Sequence, residues 1–281
     1  MKPSNDILEE LSALRRADAE ARATSVPLAE MMRRAAAAPA PRDFKRLVGT
    51  APRAVRGGRG ATALPDLTMP RVIAELKRAS PSEGMIREEF RPVELAHELE
   101  DAGAAALSVL CEPHRFLGDE RYLADARREV RIPVLYKDFI TTRYQVAAAR
   151  AAGADAILLI AAVLDDVALA DLLGFARSFG MEALVETHDA QEIARAVSCG
   201  AKVVGVNCRN LRNFATDVSL LEALVGEIPA GCVRIAESGM HTAEAVSRAK
   251  AAGADGFLVG TALMRANHPG DKLKELLTTN D

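Results

Sequence analysis

The stretch TRYQVAAARAAGADAILLI, Thr142 to Ile160, decides the fold. Its first twelve residues read as an amphipathic helix ending at Ala152-Gly153. Glycine is the residue expected where a helix stops in the left-handed conformation. Almost at once comes AILLI, Ala156 to Ile160, a short and wholly apolar run. Such a run is a strand buried on both faces, as in a parallel sheet.

Working outward, the same punctuation returns at Ala102-Gly103, Cys199-Gly200 and Ala252-Gly253. Spacings of about fifty residues fit a unit of two strand–helix pairs used four times. The strand candidates are VIAEL (72–76), ALSVL (106–110), PVLYKDF (133–139), AILLI (156–160), EALVET (182–187), VVGVN (203–207), VRIAES (233–238) and GFLVG (256–260). Helical stretches such as PVELAHELEDAG and HTAEAVSRAKAAG separate them. Strands alternating with helices define βαβ units and a parallel sheet. Eight units with none left over favour a closed (β/α)₈ TIM barrel over an open doubly wound sheet. No G-x-G-x-x-G follows the first strand, which argues against a dinucleotide fold.

Before the barrel, residues 4–36 read as one or two helices. Ser4, Asn5 and Asp6 offer N-caps, and Ile7, Leu8, Leu11 and Leu14 form an apolar stripe. Residues 1–47 are thus expected as a helical extension packing on the barrel. Residues 48–70, VGTAPRAVRGGRGATALPDLTMP from Val48 with the flanking Pro70, are rich in Gly, Arg and Pro and read as a flexible connector. The barrel then takes residues 71–281, in one domain overall.

With 36 basic and 39 acidic residues, the net charge is −3. No basic field favours nucleic acid, so affinity for anions must be local. No apolar stretch approaches the roughly 18 residues of a membrane span. The charged start lacks a signal-type apolar core. Cys111, Cys199, Cys208 and Cys232 have neither disulfide nor metal spacing, and read as reduced thiols of a cytoplasmic protein. No histidine pair has metal spacing. His97 falls on a helix, His188 and His241 at helix starts, His114 in a loop and His268 in the tail.

Barrel strands should be almost purely apolar, so polar residues at their C-terminal ends are informative: active sites of this fold lie on that face. Glu75 and Lys77 are two apart on the first strand and point the same way. Lys137 closes the third strand, Glu186 the fifth, Asn207 the sixth with Arg209 beyond it, and Glu237 the seventh. A charge inside a barrel is costly unless paired or used. Together these residues read as acid/base chemistry on a polar, anionic substrate. Ser238-Gly239 after strand seven and Gly260-Thr261 after strand eight expose backbone N–H groups where barrel phosphate sites commonly form.

The run VIAELKRASPSEG, Val72 to Gly84, resembles the signature of the indole-3-glycerol-phosphate synthase family. Further matches follow in order: Ser108-Val109-Leu110, Phe116, Leu135 to Phe139, Leu184-Val185-Glu186, Val206 to Leu211, Ala236 to Gly239 and Val259 to Met264. The resemblance covers about residues 5–47 and 71–277. It implies ring closure of 1-(2-carboxyphenylamino)-1-deoxyribulose 5-phosphate to indole-3-glycerol phosphate in tryptophan biosynthesis, with loss of carbon dioxide and water. It implies no cofactor and no metal. The implied general acid is Lys137. Lys77 would hold the substrate carboxylate, and Glu186 would take a proton in the dehydration, assisted by Lys77 or Lys137. Glu75, Asn207 and Glu237 would bind hydroxyls and hold the lysines. Phe116 and Phe139 would wall the aromatic ring. Arg209, Ser238, Gly239, Gly260 and Thr261 would receive the phosphate or adjacent hydroxyls, and Ser80 lies on a loop that could close over the substrate.

The sequence departs from the family pattern at Glu83, where a lysine is usual, at Cys208, Thr261 and Asp119. None of these removes a proposed catalytic group. Two alternatives stay open at this point: another phosphosugar barrel such as a phosphoribosylanthranilate isomerase, which would want a Cys and an Asp at strand ends, and a non-catalytic phosphate-binding barrel. The expected partner is a small phosphorylated aromatic amine, with no nucleic acid and no membrane. The expected assembly is a monomer or weak homo-oligomer.

Overall fold

A computed structural model describes residues 7–49, 70–208 and 218–278. Eight parallel strands form a closed barrel in chain order: β1 (Arg71–Leu76), β2 (Ala106–Leu110), β3 (Val134–Lys137), β4 (Ala156–Ile160), β5 (Glu182–Thr187), β6 (Val203–Asn207), β7 (Val233–Glu237) and β8 (Gly256–Val259), with β8 pairing back onto β1. The third strand ends at Lys137, so Phe139 stands just beyond it rather than within it.

Strand parity sorts the apolar residues into two cores. Ile73, Ala106, Leu135, Ala156, Leu158, Leu184, Val203, Ile235 and Leu258 fill the barrel interior. Their alternates, such as Val72, Ala74, Leu107, Val109 and Val204, pack outward against the helical ring. Each strand is therefore buried on both sides, which is why AILLI-type runs suit it.

The ring comprises α4 (Pro92–Asp101), α5 (Glu120–Glu129), α6 (Arg143–Ala151), α7 (Asp166–Ser178), α8 (Ala190–Ser198), α9 (Val218–Glu227), α10 (Ala243–Ala251), α11 (Thr261–Arg265) and α12 (Pro269–Leu277). The punctuating glycines behave as their spacing predicts. Gly103, Gly153, Gly200 and Gly253 have φ between 95° and 105°. In each case the residue after the glycine donates its N–H back to the helix, as Ala154 does to the Ala149 carbonyl at 3.0 Å. That closes a Schellman-type cap and turns the chain into the next strand.

The N-terminal extension wraps the barrel from top to bottom. Helix α1 (Ile7–Ser25) lays Ile7, Leu8 and Leu11 over the C-terminal mouth. Helix α2 (Leu28–Ala37) runs down the side, with Met31 packed against Tyr144, Ala147 and Ala148 of α6. Helix α3 (Phe44–Val48) plugs the opposite end, where Phe44 and Val48 join the interior core. Val48 thus closes a helix instead of opening a connector. The expected N-caps Ser4, Asn5 and Asp6, and residues 50–69 of the expected connector, lie outside the described residues. Among the described residues, no helix is long and apolar enough to cross a membrane.

Candidate active site

Register sets the height of each polar side chain. Glu75 pairs with Ser108, Leu110 with Lys137, Ile160 with Glu186, and Asn207 with Glu237. All the polar strand-end residues therefore project into one cavity at the C-terminal mouth. Its walls include Glu75, Lys77, Ser80, Phe116, Lys137, Phe139, Glu186, Asn207, Glu237, Ser238, Gly239, Gly260 and Thr261. The space amounts to about 1050 Å³ with its open mouth included, ample for a small-molecule ligand. Of the residues singled out from sequence, Arg209 lies outside the described residues.

Lys137 is the hub. Its Nζ lies 3.4 Å from Glu186 Oε2, 3.8 Å from Glu237 Oε2 and 4.0 Å from Glu75 Oε2. Burial works against its charge, but the three carboxylates prevail and hold it cationic well above the usual lysine value. Lys77 Nζ makes a closer pair with Glu75 Oε1, at 2.7 Å. Burial would protonate Glu75, yet the two lysines keep its carboxyl below the ordinary range.

The three carboxylates are not equivalent. Glu186 is desolvated, but Lys137, His188 and Asn207 all stabilise its anion, and its pKa falls far below normal. Asn207 Nδ2 donates to Glu186 Oε1 at 3.2 Å, and Ser238 Oγ donates to Asn207 Oδ1 at 2.8 Å. Glu237 moves the other way. Burial and the neighbouring Glu186 anion raise it, and its Oε1 has no hydrogen-bond partner among the described residues. Two titratable groups pushed apart by their surroundings are the pattern of an acid/base site.

Two glycines make room for this cluster. A Cβ at Gly205 would overlap Glu237 Oε1, and one at Gly260 would overlap Glu75 Oε1 and crowd Lys77 Nζ at 3.1 Å. Gly205 and Gly260 therefore occupy inward positions where any side chain would expel a carboxylate.

The walls divide by chemistry. Phe116 and Phe139 face each other with ring centroids 6.2 Å apart, beneath Ile7, Leu8 and Leu11. Phe116 is placed by Glu112, whose buried carboxylate accepts the N–H groups of His114, Arg115 and Phe116 at 2.6, 2.8 and 2.9 Å. On the opposite wall, Ser238 and Gly239 have φ of 65° and 76°, and Gly260-Thr261 leads into α11. Ser80 sits in a short hairpin of Ala79–Ser80 with Gly84–Met85 and is buried, its Oγ 3.3 Å from Ser82 Oγ. Glu83 on that hairpin pairs with Arg265 of α11. Arg87 also donates to the carbonyls of Met264 and Ala266, at 3.3 and 3.0 Å. The acidic residue at position 83 thus ties the loop to the last barrel unit.

Two features escape a reading of the sequence. His188 looks there like an ordinary helix start, yet its Nε2 lies 3.4 Å from Glu186 Oε1. The available signal was parity, since His188 follows Glu186 by two. The second is Asp138, buried beside Lys137 and gripped by Arg15 of α1. No local pattern joins residues 123 positions apart.

A closed parallel barrel with paired lysines and carboxylates at its C-terminal mouth defines a barrel enzyme of acid/base type. Comparison with known proteins narrows that class. The family model described as "Indole-3-glycerol phosphate synthase" matches residues 8–276, and the chain belongs to the indole-3-glycerol phosphate synthase family. A synthase of that name from Albidiferax ferrireducens is 43% identical over 274 residues, covering 98% of this chain and 99% of the relative. One from Acidithiobacillus ferrooxidans is 44% identical over 271 residues, covering 96% and 98%. One from Campylobacter curvus is 49% identical over 195 residues, covering 69% and 75%. Among solved structures, orotidine 5′-phosphate decarboxylase from Pyrococcus horikoshii matches with a TM-score of 0.55 at 14% identity, covering 73% of this chain and 97% of that one. Thiamine phosphate pyrophosphorylase from Pyrococcus furiosus matches with a TM-score of 0.54 at 17% identity, covering 74% and 93%. These two likenesses concern the fold alone.

Proposed function

We propose that this protein converts 1-(2-carboxyphenylamino)-1-deoxyribulose 5-phosphate into indole-3-glycerol phosphate, releasing carbon dioxide and water. The observation that carries this reading is the position of Lys137, a half-buried cation within 4.0 Å of three carboxylates beside the buried Lys77.

The ring carbon bearing the carboxylate must attack the ketone carbon. As that bond forms, negative charge develops on the ketone oxygen, and Lys137 supplies the proton. The carbon–carboxylate bond then breaks, and its electron pair restores the aromatic ring. Lys77, at the rim, holds the carboxylate until it leaves and orients the ring against Phe116 and Phe139. The remaining hydroxyl departs as water while Glu186, kept ionised, removes a proton. Lys77 or Lys137 protonates the departing oxygen. Glu75, Asn207 and Glu237 position substrate hydroxyls and the lysines. The 5-phosphate takes the backbone N–H groups around Ser238-Gly239 and Gly260-Thr261, with Arg209. The hairpin carrying Ser80 closes over the bound substrate and excludes water.

The same reading assigns a small phosphorylated aromatic amine as partner, neither nucleic acid nor membrane, a monomer or weak homo-oligomer, and a cytoplasmic location. It treats the chain as one domain: a helical extension running through Val48, a connector leading to residue 70, and the catalytic barrel (71–281). Incubating purified protein with the substrate tests the reaction. Indole fluorescence should rise with one carbon dioxide released per product. Folded protein that yields neither would refute it.

A further inference from the structure

His188 does not line the cavity, yet it touches the residue that does the work there. The chain leaves β5 at Thr187 and starts α8 after Asp189. The Asp189 carboxylate caps that helix by accepting the Glu192 N–H at 2.8 Å. Glu192, three residues on, reaches back and accepts the His188 N–H at 2.8 Å. This capping arrangement brings Glu192 Oε2 to 3.1 Å from His188 Nδ1. The opposite ring nitrogen, Nε2, then faces Glu186 Oε1 at 3.4 Å, an ion-pair contact without hydrogen-bond geometry. The imidazole is thus held between two carboxylates, one structural and one in the active site.

We propose that His188 is a positioning residue for Glu186: an imidazolium braced by Glu192 that fixes the orientation of the base and keeps it ionised from behind. This rests on the reading of Glu186 as the proton acceptor. Glu186 has a cation or donor at each oxygen: Lys137 at Oε2, and Asn207 with His188 at Oε1. Lys137 is required for the reaction and must release a proton during it. A second cation that does not touch substrate keeps Glu186 an anion while Lys137 is neutral. The same arrangement separates Glu186 from Glu237, which among the described residues has Lys137 as its cation and none behind it.

The charged groups facing the pair come from several elements: Lys137 from β3, Glu75 from β1 and Glu237 from β7 on the cavity side, and Glu192 with its neighbour Arg195 from α8 on the outer side. Burial opposes a charge on His188, but Glu186 and Glu192 outweigh it and raise its pKa to about 10. The imidazole is therefore charged across the neutral range.

Imidazole proton NMR on the full chain, with the His188 signal assigned by its absence from His188→Gln, tests the charge directly. The ring should stay protonated at about pH 8 in the unsubstituted protein and titrate at lower pH in Glu192→Gln, which keeps the cap geometry but removes the charge. In the pH profile of kcat, His188→Gln should show the acidic limb moved to higher pH, because Glu186 loses its rear cation, whereas Glu192→Gln should lose turnover at the basic end, where its imidazole is no longer charged. Turnover at neutral pH should fall on the order of 10- to 100-fold, as for other outer partners of a functional group, with KM little changed. Should His188→Gln fail to fold, His188→Asn serves for both the assignment and the pH profile. A neutral His188 at about pH 8, or variants with an unmoved pH profile, would overturn the proposal. A fully active Glu186→Gln would instead refute the role of Glu186 itself, whatever the charge on His188.

Discussion

Arg15 of α1 forms a fork on Asp138, the residue that follows Lys137. Its Nε donates to Oδ1 at 2.9 Å and its Nη2 to Oδ2 at 2.7 Å. The same arginine pairs with Asp18, which in turn meets His114 on the loop that carries Phe116. One ion-pair chain therefore ties the helix roofing the cavity to the strand end bearing the central lysine and to the aromatic wall.

Arg15→Met should strand the Asp138 carboxylate, which is 2% exposed. Removing one partner of a buried pair costs about 3 kcal/mol or more. Burial already raises Asp138 above the usual carboxylate value despite Arg15. A group raised in the folded state loses stability as pH climbs from its unfolded value. The deficit in Arg15→Met should therefore be larger at about pH 8 than at about pH 5, when denaturant unfolding is measured at each. KM should also rise, since Ile7, Leu8 and Leu11 lose their anchor. An equal deficit at both pH values would contradict this account.

Glu237 offers the same logic inside the site. Its folded pKa is raised by burial and by Glu186, so its ionisation opposes folding between its ordinary value and the raised one. Glu237→Gln, a neutral mimic, should stabilise the protein, and the gain in Tm should grow from about pH 5 to about pH 8. Activity should fall in the same variant. A stability loss that grows with pH would show that Glu237 is instead held ionised.

Gly260→Ala and Gly205→Ala place a methyl group where Glu75 Oε1 and Glu237 Oε1 now lie. Displacing a catalytic neighbour by about 1 Å can cost about 100-fold in rate. Each variant should lose kcat on that scale while far-ultraviolet dichroism stays unchanged. Full activity in Gly260→Ala would mean that the Glu75–Lys77 pair is dispensable.

Leu117 has φ of 52° and is 38% exposed. The left-handed conformation costs a branched residue roughly 1–2 kcal/mol. Leu117→Asn should recover about 1 kcal/mol in denaturant unfolding, since Asn tolerates this region and little packing is lost. A destabilised variant would show that the leucine side chain contributes more by contact than its backbone costs.

Much of this architecture was legible in the sequence, because two periodicities and one punctuation mark carry it. Runs such as Ala156–Ile160 identify strands, and glycines such as Gly153 mark where each helix turns back. Strand parity alone places Glu75 with Lys77, and the chain order of eight strands brings Lys137, Glu186, Asn207 and Glu237 to the same rim. What parity cannot show is pairing across the barrel. The low pKa of Glu186 depends first on Lys137, and then on His188 and Asn207; Lys137 and Asn207 reach it only from other strands of the closed structure. The Arg15–Asp138 fork and the plug formed by Phe44 and Val48 depend on how α1 and α3 dock, which no local signal encodes.

The central claim is that Lys137 is the acid at the ketone oxygen. Product fluorescence followed under saturating 1-(2-carboxyphenylamino)-1-deoxyribulose 5-phosphate, in the unsubstituted protein and in Lys137→Ala, tests it most directly. Loss of a general acid should lower kcat by about 10²- to 10⁴-fold with the barrel still folded. Lys137→Ala turning over at the unsubstituted rate would contradict the account.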